Sequence, residues 1–367
     1  MFNFQFRKMK LLLLATDIYG GYGGIALYNR DFVAALASHP DCEEVVVVPR
    51  IIPNEPEHIP SNVRFVSEAA KSNLAYLRAI NALRKERFDL VFCGHVNLLP
   101  VARTLSSDAV LLVYGIEAWK PSRNRIRSRL ATQIRSVISI SEITMRRFLA
   151  WTSCDCRQFI LPNAIHQDLY RIAPRDPALV ARYGLEDKRV LLTVGRVVAA
   201  ERYKGFDEVI EILGDLPEDV VYVIAGGGND LPRLKRRARE LGVEHRVVFT
   251  GLFPEAEKPA LYNLADVYVM PSRGEGFGFV LLEAMACGVP VIASRHDGGR
   301  EAVRDGELGI LVDPNNLAAI RMAIIEQLAR AEKKIPEGLA YFSFENFKAR
   351  THAIVDECRR LVRTSRP

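Results

Sequence analysis

Two glutamates in the second half of the chain, Glu275 and Glu283, have a spacing suited to binding hydroxyl groups. Glu275 lies in a glycine-rich segment after an apolar run that ends at Met270, and a helix-like segment, 278–286, follows. Glu283 would then lie about one and a half turns inside this helix. Carboxylates accept paired hydrogen bonds from sugar or ribose hydroxyls, and the free N–H groups at a helix start bind phosphate. The spacing alone is also compatible with one surface glutamate and one structural glutamate.

Two cations precede these glutamates in the same half of the chain. Arg196 follows a strand-like run, Val190–Val194, and a glycine, and Lys204 comes eight residues later. Each could neutralise negative charge that develops on a leaving phosphate, the arginine as a fork and the lysine as a point charge. The alternative is two solvated cations on a loop, which suits Arg196 less well because it comes directly after a strand and a glycine.

The whole string from Pro271 to Ile292 closely resembles the Glu-x7-Glu signature of retaining glycosyltransferases with the GT-B fold, in particular glycosyltransferase family 4. Its lead, Pro-Ser-x-x-Glu-Gly-Phe-Gly, and its tail, Glu-Ala-x-Ala-x-Gly-x-Pro-Val-Ile, are both present. The Val-Gly-Arg segment at 194–196 and the Lys-Gly pair at 204–205 match the same family in the expected order. The resemblance extends over nearly the whole chain and is strongest over 190–314.

This resemblance implies that a hexose moves from a UDP- or GDP-sugar to an acceptor hydroxyl, with retention at the anomeric carbon. The acceptor would be a sugar or a lipid-linked sugar, in polysaccharide or glycolipid synthesis. Arg196, Lys204 and Glu275 would be catalytic, and Glu283 would anchor the ribose. The donor would further contact Gly23, Gly24, Gly195, Gly251, Leu252, Gly276, Phe277, Gly278 and Phe279. The sequence contains no Asp-x-Asp motif, so we expect neither a metal ion nor another cofactor.

Four residues that follow strand-like runs of the first half are candidates for contact with the sugar or the acceptor. Tyr114, Glu117 and Trp119 belong to one segment, and His95 follows an earlier run. Many relatives have a histidine where this chain has Tyr114, and the tyrosine could hydrogen-bond a sugar or simply pack. Glu117 would use hydrogen bonds and Trp119 would stack. A structural role is the alternative for His95.

A glycine-rich loop after the first strand-like run allows a different interpretation. Gly23 and Gly24 belong to a segment that resembles the N-terminal glycine loop of the same family, whose backbone faces the donor phosphates when the domains close. The spacing Gly21-x-Gly23-x-x-Ala26 also fits a dinucleotide fingerprint, with Arg50 as a partner for a 2′-phosphate. An NADP-dependent oxidoreductase is therefore one alternative, and a catalytically silent sugar-nucleotide-binding subunit is another.

The elements that must position these residues alternate between strand-like and helix-like runs. This pattern predicts an α/β protein with two Rossmann-like, doubly wound parallel-sheet domains facing across a cleft, the GT-B architecture. We expect an acceptor-side domain over 1–167, a donor domain over 168–345 and a final helix, 346–367, that packs back on the first domain. Ligands should gather at the carboxyl ends of the strands.

The composition is that of an ordinary globular protein, with 26% charged residues and a net charge of +6. This modest excess favours anionic partners such as phosphorylated substrates or an acidic membrane surface, and we expect no nucleic-acid partner. A basic run from Lys120 to Arg135 could touch anionic lipid or form a solvated face. The apolar runs fall short of a membrane span of roughly 20 residues. We predict reduced cysteines and a cytoplasmic location with weak peripheral contact at the inner membrane face.

Overall fold

The computed structural model describes residues 8–330 and 332–364, which form two compact units. The first unit comprises the chain up to Ala164 together with the segment from Phe344 onward, and the second comprises Ile165–Ser343. Each unit is built on one parallel sheet, of seven strands in the first unit and six in the second. The two sheets and the helices between their strands confirm the predicted α/β class with two Rossmann-like domains. Within the described residues, no helix is long and apolar enough to cross a membrane.

The first unit has the strand order β3-β2-β1-β4-β5-β6-β7, and every neighbouring pair is parallel. Its strands are β1 (Met9–Ala15), β2 (Cys42–Pro49), β3 (Val63–Phe65), β4 (Leu90–Cys93), β5 (Val110–Val113), β6 (Ser136–Ser139) and β7 (Arg157–Ile160). Its helices are α1 (Gly24–Ala37), α2 (Asn73–Leu83), α3 (Leu99–Leu105), α4 (Arg125–Ala131), α5 (Glu142–Thr152) and, from the far end of the chain, α13 (Phe344–Thr364).

The second unit has the strand order β10-β9-β8-β11-β12-β13, again with parallel pairs throughout. Its strands are β8 (Arg189–Val194), β9 (Val220–Ala225), β10 (Val247–Gly251), β11 (Val267–Met270), β12 (Val291–Ser294) and β13 (Ile310–Val312). Its helices are α6 (Pro177–Tyr183), α7 (Phe206–Ile212), α8 (Leu231–Glu240), α9 (Lys258–Leu264), α10 (Phe279–Ala286), α11 (Gly299–Ala302) and α12 (Leu317–Leu328).

The central strands are buried along their whole length because helices cover both faces of each sheet. All six residues of β9 are buried, and so are all four of β4, β5 and β11. Strands of this kind appear in the sequence as continuous apolar runs without polar alternation. In a parallel sheet the chain leaves every strand at the same edge, so the loops that follow β8, β9, β10 and β11 lie at one edge of the second sheet.

The apolar run 289–293 has the composition of a strand, but β12 begins two residues into it, at Val291, because the preceding helix closes with a glycine turn. Gly288 has φ +70° and donates to the carbonyl of Met285, and Val289 N–H donates to Ala284 O at 3.0 Å. This is the Schellman arrangement, in which a left-handed residue ends a helix. Val289 is therefore part of the helix cap rather than of β12.

The last helix, α13, belongs to the first unit and packs against α1. The rings of Tyr28 and Phe347 meet edge to face with centroids 5.5 Å apart, and those of His39 and His352 lie 4.7 Å apart. Residues 365–367, the end of the helix expected over 346–367, lie outside the described residues.

The end of β9 approaches the end of β8 so closely that only glycine fits there. Gly226 has φ +148°, and an added Cβ would lie 1.9 Å from the carbonyl oxygen of Gly195. We predict that Gly226→Ala lowers the free energy of unfolding by about 3 kcal/mol in urea unfolding. Gly214→Ala is the matched control, because its Cβ would meet only Val243 Cγ1, at 3.7 Å. Equal stability of the two variants would contradict this account.

Candidate active site

The loop after β8 is fixed to the end of β9 by backbone hydrogen bonds on both sides of Arg196. Gly195 N–H donates to Ala225 O at 2.9 Å, and Val197 N–H donates to Gly227 O at 3.0 Å. The Arg196 side chain itself remains 77% exposed. The glycines after β9 therefore let two backbones meet at the sheet edge, and Arg196 projects from this junction.

Four charged side chains, which we call the ion cluster, meet beside this junction: Arg196, Glu201, Lys204 and Glu275. Lys204 Nζ pairs with Glu275 Oε1 and lies 3.8 Å from Glu201 Oε2. Arg196 pairs with Glu201 Oε1. The structure thus brings together the three residues that the sequence singles out as catalytic and adds Glu201, which it did not.

Lys204 is the buried centre of the ion cluster. Burial by itself would lower the pKa of its ammonium group, but the charges of Glu275 and Glu201 outweigh burial and raise the pKa above its ordinary value. The lysine therefore stays charged in a site that is largely shielded from water, where its charge acts more strongly than it would at the surface.

A buried aspartate, Asp297, holds the loop that carries Glu275. Its Oδ2 accepts hydrogen bonds from Ser272 Oγ at 2.7 Å and from the backbone N–H of Glu275 at 2.9 Å. Its Oδ1 accepts from Gly299 N–H at 3.0 Å. Burial raises the pKa of the Asp297 carboxyl. Sequence analysis missed this residue, although its position in an Asp-Gly-Gly turn before a short helix is a visible signal.

The glycine-rich segment that follows Glu275 leads directly into α10. Gly276 precedes Phe277, whose buried ring packs against Phe342 at 5.6 Å, so its side chain belongs to the core of the unit. Gly278 adopts φ +90° and α10 begins at Phe279. The first N–H groups of this helix lie next to the Glu275 loop in the chain, and they are the part of the segment suited to an anion.

Glu283 lies in a separate buried network on the other side of α10. Its Oε1 accepts from Tyr170 Oη at 2.6 Å and from Lys258 Nζ at 2.7 Å, and its Oε2 accepts from Tyr262 Oη at 2.6 Å. Glu283 has no exposed surface. Burial would lower the pKa of Lys258, but the carboxylates of Glu283 and Glu255 raise it. The spacing of Lys258 and Tyr262, one turn apart on α9, is the only sequence signal of this network.

The loop after β10 contains the last two donor candidates of the second unit. Gly251 has φ +68°, a left-handed conformation that favours glycine. Leu252 is 89% exposed, and an added Cβ on Gly227 would lie 2.7 Å from its Cγ. Leu252 is thus a large apolar side chain displayed at the same sheet edge as Arg196.

Three of the four sugar or acceptor candidates lie in the segment after β5, and each has a hydrogen-bond partner within the first unit. Tyr114 is buried and its Oη donates to Asn29 Oδ1 at 2.7 Å. Glu117 Oε1 accepts from the N–H groups of Tyr114 at 2.6 Å and Gly115 at 3.1 Å, and burial raises the pKa of this carboxyl. Trp119 donates to Thr144 Oγ1, with the guanidinium of Arg147 3.8 Å from its ring centroid.

The remaining first-unit candidates follow β4, β1 and β2. His95 Nδ1 accepts from Asn97 N–H at 2.9 Å, and burial together with the nearby Arg127 lowers the pKa of its ring. Gly23 and Gly24 are exposed at the start of α1, and an added Cβ on either would meet no atom within 4 Å. Arg50, the candidate for a 2′-phosphate, donates to Asn73 Oδ1 at 2.6 Å and lies over the Tyr76 ring. No group of three or more metal-binding side chains occurs among the residues described.

A glycosyltransferase of the GT-B type is the class that this fold and ion cluster define, and comparison with known proteins agrees. Residues 178–335 match the family model of glycosyl transferases group 1. A GDP-mannose-dependent alpha-(1-6)-phosphatidylinositol monomannoside mannosyltransferase of Mycolicibacterium smegmatis is 37% identical over 272 residues, which cover 69% of this chain and 70% of that protein. The chain therefore belongs to the glycosyl transferases group 1 family. This agrees with the resemblance of its sequence to glycosyltransferase family 4.

Further relatives and solved structures extend this comparison. A phosphatidyl-myo-inositol mannosyltransferase of Mycobacterium leprae is 36% identical over 195 residues, 52% of this chain and 49% of that protein. The structure of Anabaena HepE in complex with UDP-glucose has a TM-score of 0.73 at 20% identity, covering 95% of this chain and all of that one. A sucrose-phosphate synthase from Thermosynechococcus elongatus also has a TM-score of 0.73, at 22% identity, covering 97% of this chain and 99% of that one. These structural matches confirm the fold.

The buried pair of Lys258 and Glu283 gives a stability prediction. Lys258→Met leaves the Glu283 carboxylate without its cation, and we expect the free energy of unfolding to fall by about 3 kcal/mol. Because the cost comes from an unpaired charge, the double variant Lys258→Met with Glu283→Gln, which removes the charge and keeps an oxygen that accepts from a tyrosine hydroxyl, should regain part of the loss. Urea unfolding measures both variants, with the exposed Lys334→Met as control. A double variant less stable than Lys258→Met would contradict this account.

Proposed function

We propose that this chain transfers mannose from GDP-mannose to a hydroxyl group of a glycolipid, with retention at the anomeric carbon. The ion cluster carries the proposal, because two cations on one sheet edge beside a glycine-rich helix start suit a nucleotide diphosphate. The choice of GDP-mannose and of a glycolipid acceptor is supported by the names of the two mannosyltransferase relatives, one of which aligns with more than two thirds of the chain.

In this proposal the ion cluster binds the donor diphosphate. Arg196 supplies the exposed guanidinium and Lys204 the buried ammonium, while the first N–H groups of α10 take further phosphate oxygens. Both cations stabilise the negative charge that develops on the departing GDP. Since these groups supply the positive charge, the proposed transfer needs no metal ion.

The proposed chemical step breaks one bond and forms one. The bond between C1 of mannose and the diphosphate oxygen breaks, and the acceptor oxygen bonds to C1 from the same face of the sugar. The proton of the acceptor hydroxyl passes to an oxygen of the departing phosphate. Glu275, on the loop held by Asp297, orients the sugar by accepting hydrogen bonds from its hydroxyls.

Glu283 is proposed to hold the ribose, and its surroundings limit how this happens. Its two oxygens already accept three hydrogen bonds, out of about four lone-pair positions on a carboxylate. Because Glu283 is fully buried, a ribose hydroxyl reaches it only when at least one of the side chains that contact it moves. Donor binding is therefore proposed to rearrange this network.

We propose that the first unit contacts an anionic membrane through α2, which fits a lipid-linked acceptor. Leu74 and Leu77 are 57% and 56% exposed on this helix, and Arg78 is exposed beside them. Arg84 and Lys85 continue the basic surface just beyond the helix end. Exposed leucines flanked by cations match the pattern of a helix that lies in a membrane interface.

The donor proposal is tested with a panel of GDP-mannose, UDP-glucose and ADP-glucose and with Arg196→Ala. We expect only GDP-mannose to raise the melting temperature and to be turned over with a glycolipid acceptor. Arg196→Ala should lower kcat by about 100-fold or more, because it removes one stabiliser of the leaving-group charge. Arg236→Ala, on the exposed face of α8, is the matched control and should keep full activity.

Three results would each overturn one part of this assignment. Turnover of a UDP-sugar in preference to GDP-mannose would refute the choice of donor. Full activity in Arg196→Ala would refute the role of the ion cluster, and inversion at C1, read from the product by NMR, would refute retention.

The membrane proposal is tested by co-sedimentation with vesicles that contain phosphatidylserine. Replacing Leu74 and Leu77 together by Gln removes two exposed apolar side chains, and we expect vesicle affinity to fall about tenfold or more. The control replaces Met322 and Ile325, which are exposed on α12 of the second unit, by Gln. Equal loss of binding in both double variants would contradict the role of α2.

A further inference from the structure

Glu201 is a buried carboxylate that no part of the proposed reaction uses. Only 7% of its surface is exposed. Its Oε1 pairs with Arg196, whereas its Oε2 lies 3.8 Å from Lys204 Nζ and has no hydrogen-bond partner among the described residues. An unsatisfied carboxylate oxygen inside a protein is costly, so its retention here calls for an explanation.

The charges of the ion cluster balance one another. Two positive charges, on Arg196 and Lys204, face two negative charges, on Glu201 and Glu275. A diphosphate brings further negative charge to the same cations and so competes with both carboxylates. The two carboxylates differ in how they are attached, because Glu275 lies on a separate loop held by Asp297.

Glu201, unlike Glu275, lies on the same loop as Arg196 and Lys204 and therefore cannot move away from them. It is five residues after Arg196 and three before Lys204, and it shares the short helical segment 199–204 with Lys204. Its N–H donates to Val198 O at 2.8 Å, which fixes the backbone of the segment. The Glu201 charge therefore stays beside the cations when they bind a diphosphate.

We infer that Glu201 is a counter-charge that keeps Arg196 and Lys204 in place when the site is empty and weakens the hold on the nucleoside diphosphate product, so that it leaves. This inference rests on the proposed function, since it assumes that the diphosphate binds at the ion cluster. A purely orienting role for Glu201 predicts the opposite, because loss of the carboxylate would then loosen Arg196 and weaken product binding.

The experiment measures GDP binding by titration calorimetry, using the full chain with Glu201→Gln and Glu201→Asp. Glutamine keeps the shape and removes the charge, so we expect Glu201→Gln to bind GDP about tenfold tighter, the effect of one partly screened charge at short range. Inhibition by GDP during turnover should strengthen by a similar factor. Without ligand the same variant should melt at a lower temperature, because the cations lose a partner. Glu201→Asp keeps the charge and should bind GDP like the wild type.

A matched control separates this effect from a general change in charge. Glu211→Gln removes a carboxylate from α7 that pairs with Arg237 at 3.4 Å, and it should leave GDP affinity unchanged. Equal or weaker GDP binding by Glu201→Gln would overturn the counter-charge while leaving the proposed function intact. Tighter binding by Glu201→Asp or Glu211→Gln would also overturn it. Failure of the wild type to bind GDP or UDP would instead refute the proposed function, and the counter-charge with it.

Discussion

The loops at the edge of the second sheet depend on one interaction, the pairing of the buried Lys204 ammonium with the carboxylates of Glu275 and Glu201. A lysine removed from water stays charged only when carboxylates surround it, so Glu275 and Glu201 must be delivered to within a few ångströms of it. Glu275 arrives on a loop that Asp297 ties down, and Glu201 arrives on the same short segment as the lysine. The glycine junction between β8 and β9 then aims Arg196 at the same place.

The two glutamates of the Glu-x7-Glu signature, Glu275 and Glu283, differ in how accessible they are and in which side chains contact them. Glu275 is partly accessible and shares its cation with a neighbouring carboxylate. Glu283, eight residues on, is fully buried and accepts hydrogen bonds from two tyrosines and a lysine. The turn at Gly278 and the start of α10 separate them, so that one faces the sheet edge and the other faces α9. The same side chain is thus suited to different roles at the two positions, because its surroundings differ.

The sequence predicts the sheets well and the long-range partners poorly, for physical reasons. Strands β4, β9 and β11 begin and end where their apolar runs do, because burial on both faces leaves no room for polar residues. Arg196, Lys204 and Glu275 stand out in the sequence because a spaced motif carries them, and the structure brings them together. Glu201, Asp297 and the partners of Glu283 were missed, since Tyr170 lies 113 positions away from Glu283 and nothing local indicates their pairing. Glu117 shows the converse, because its carboxylate accepts hydrogen bonds from the nearby backbone N–H groups of Tyr114 and Gly115.

The place of α13 has a consequence for the order in which the chain acquires its structure during synthesis. The second unit is one continuous stretch, Ile165–Ser343, whereas the first is closed by a helix from the far end of the chain. The surface of α1 that receives Phe347 stays uncovered until the ribosome has made the whole second unit. Although nascent domains generally fold from the N-terminus onward, here the first unit to emerge is the last to be completed.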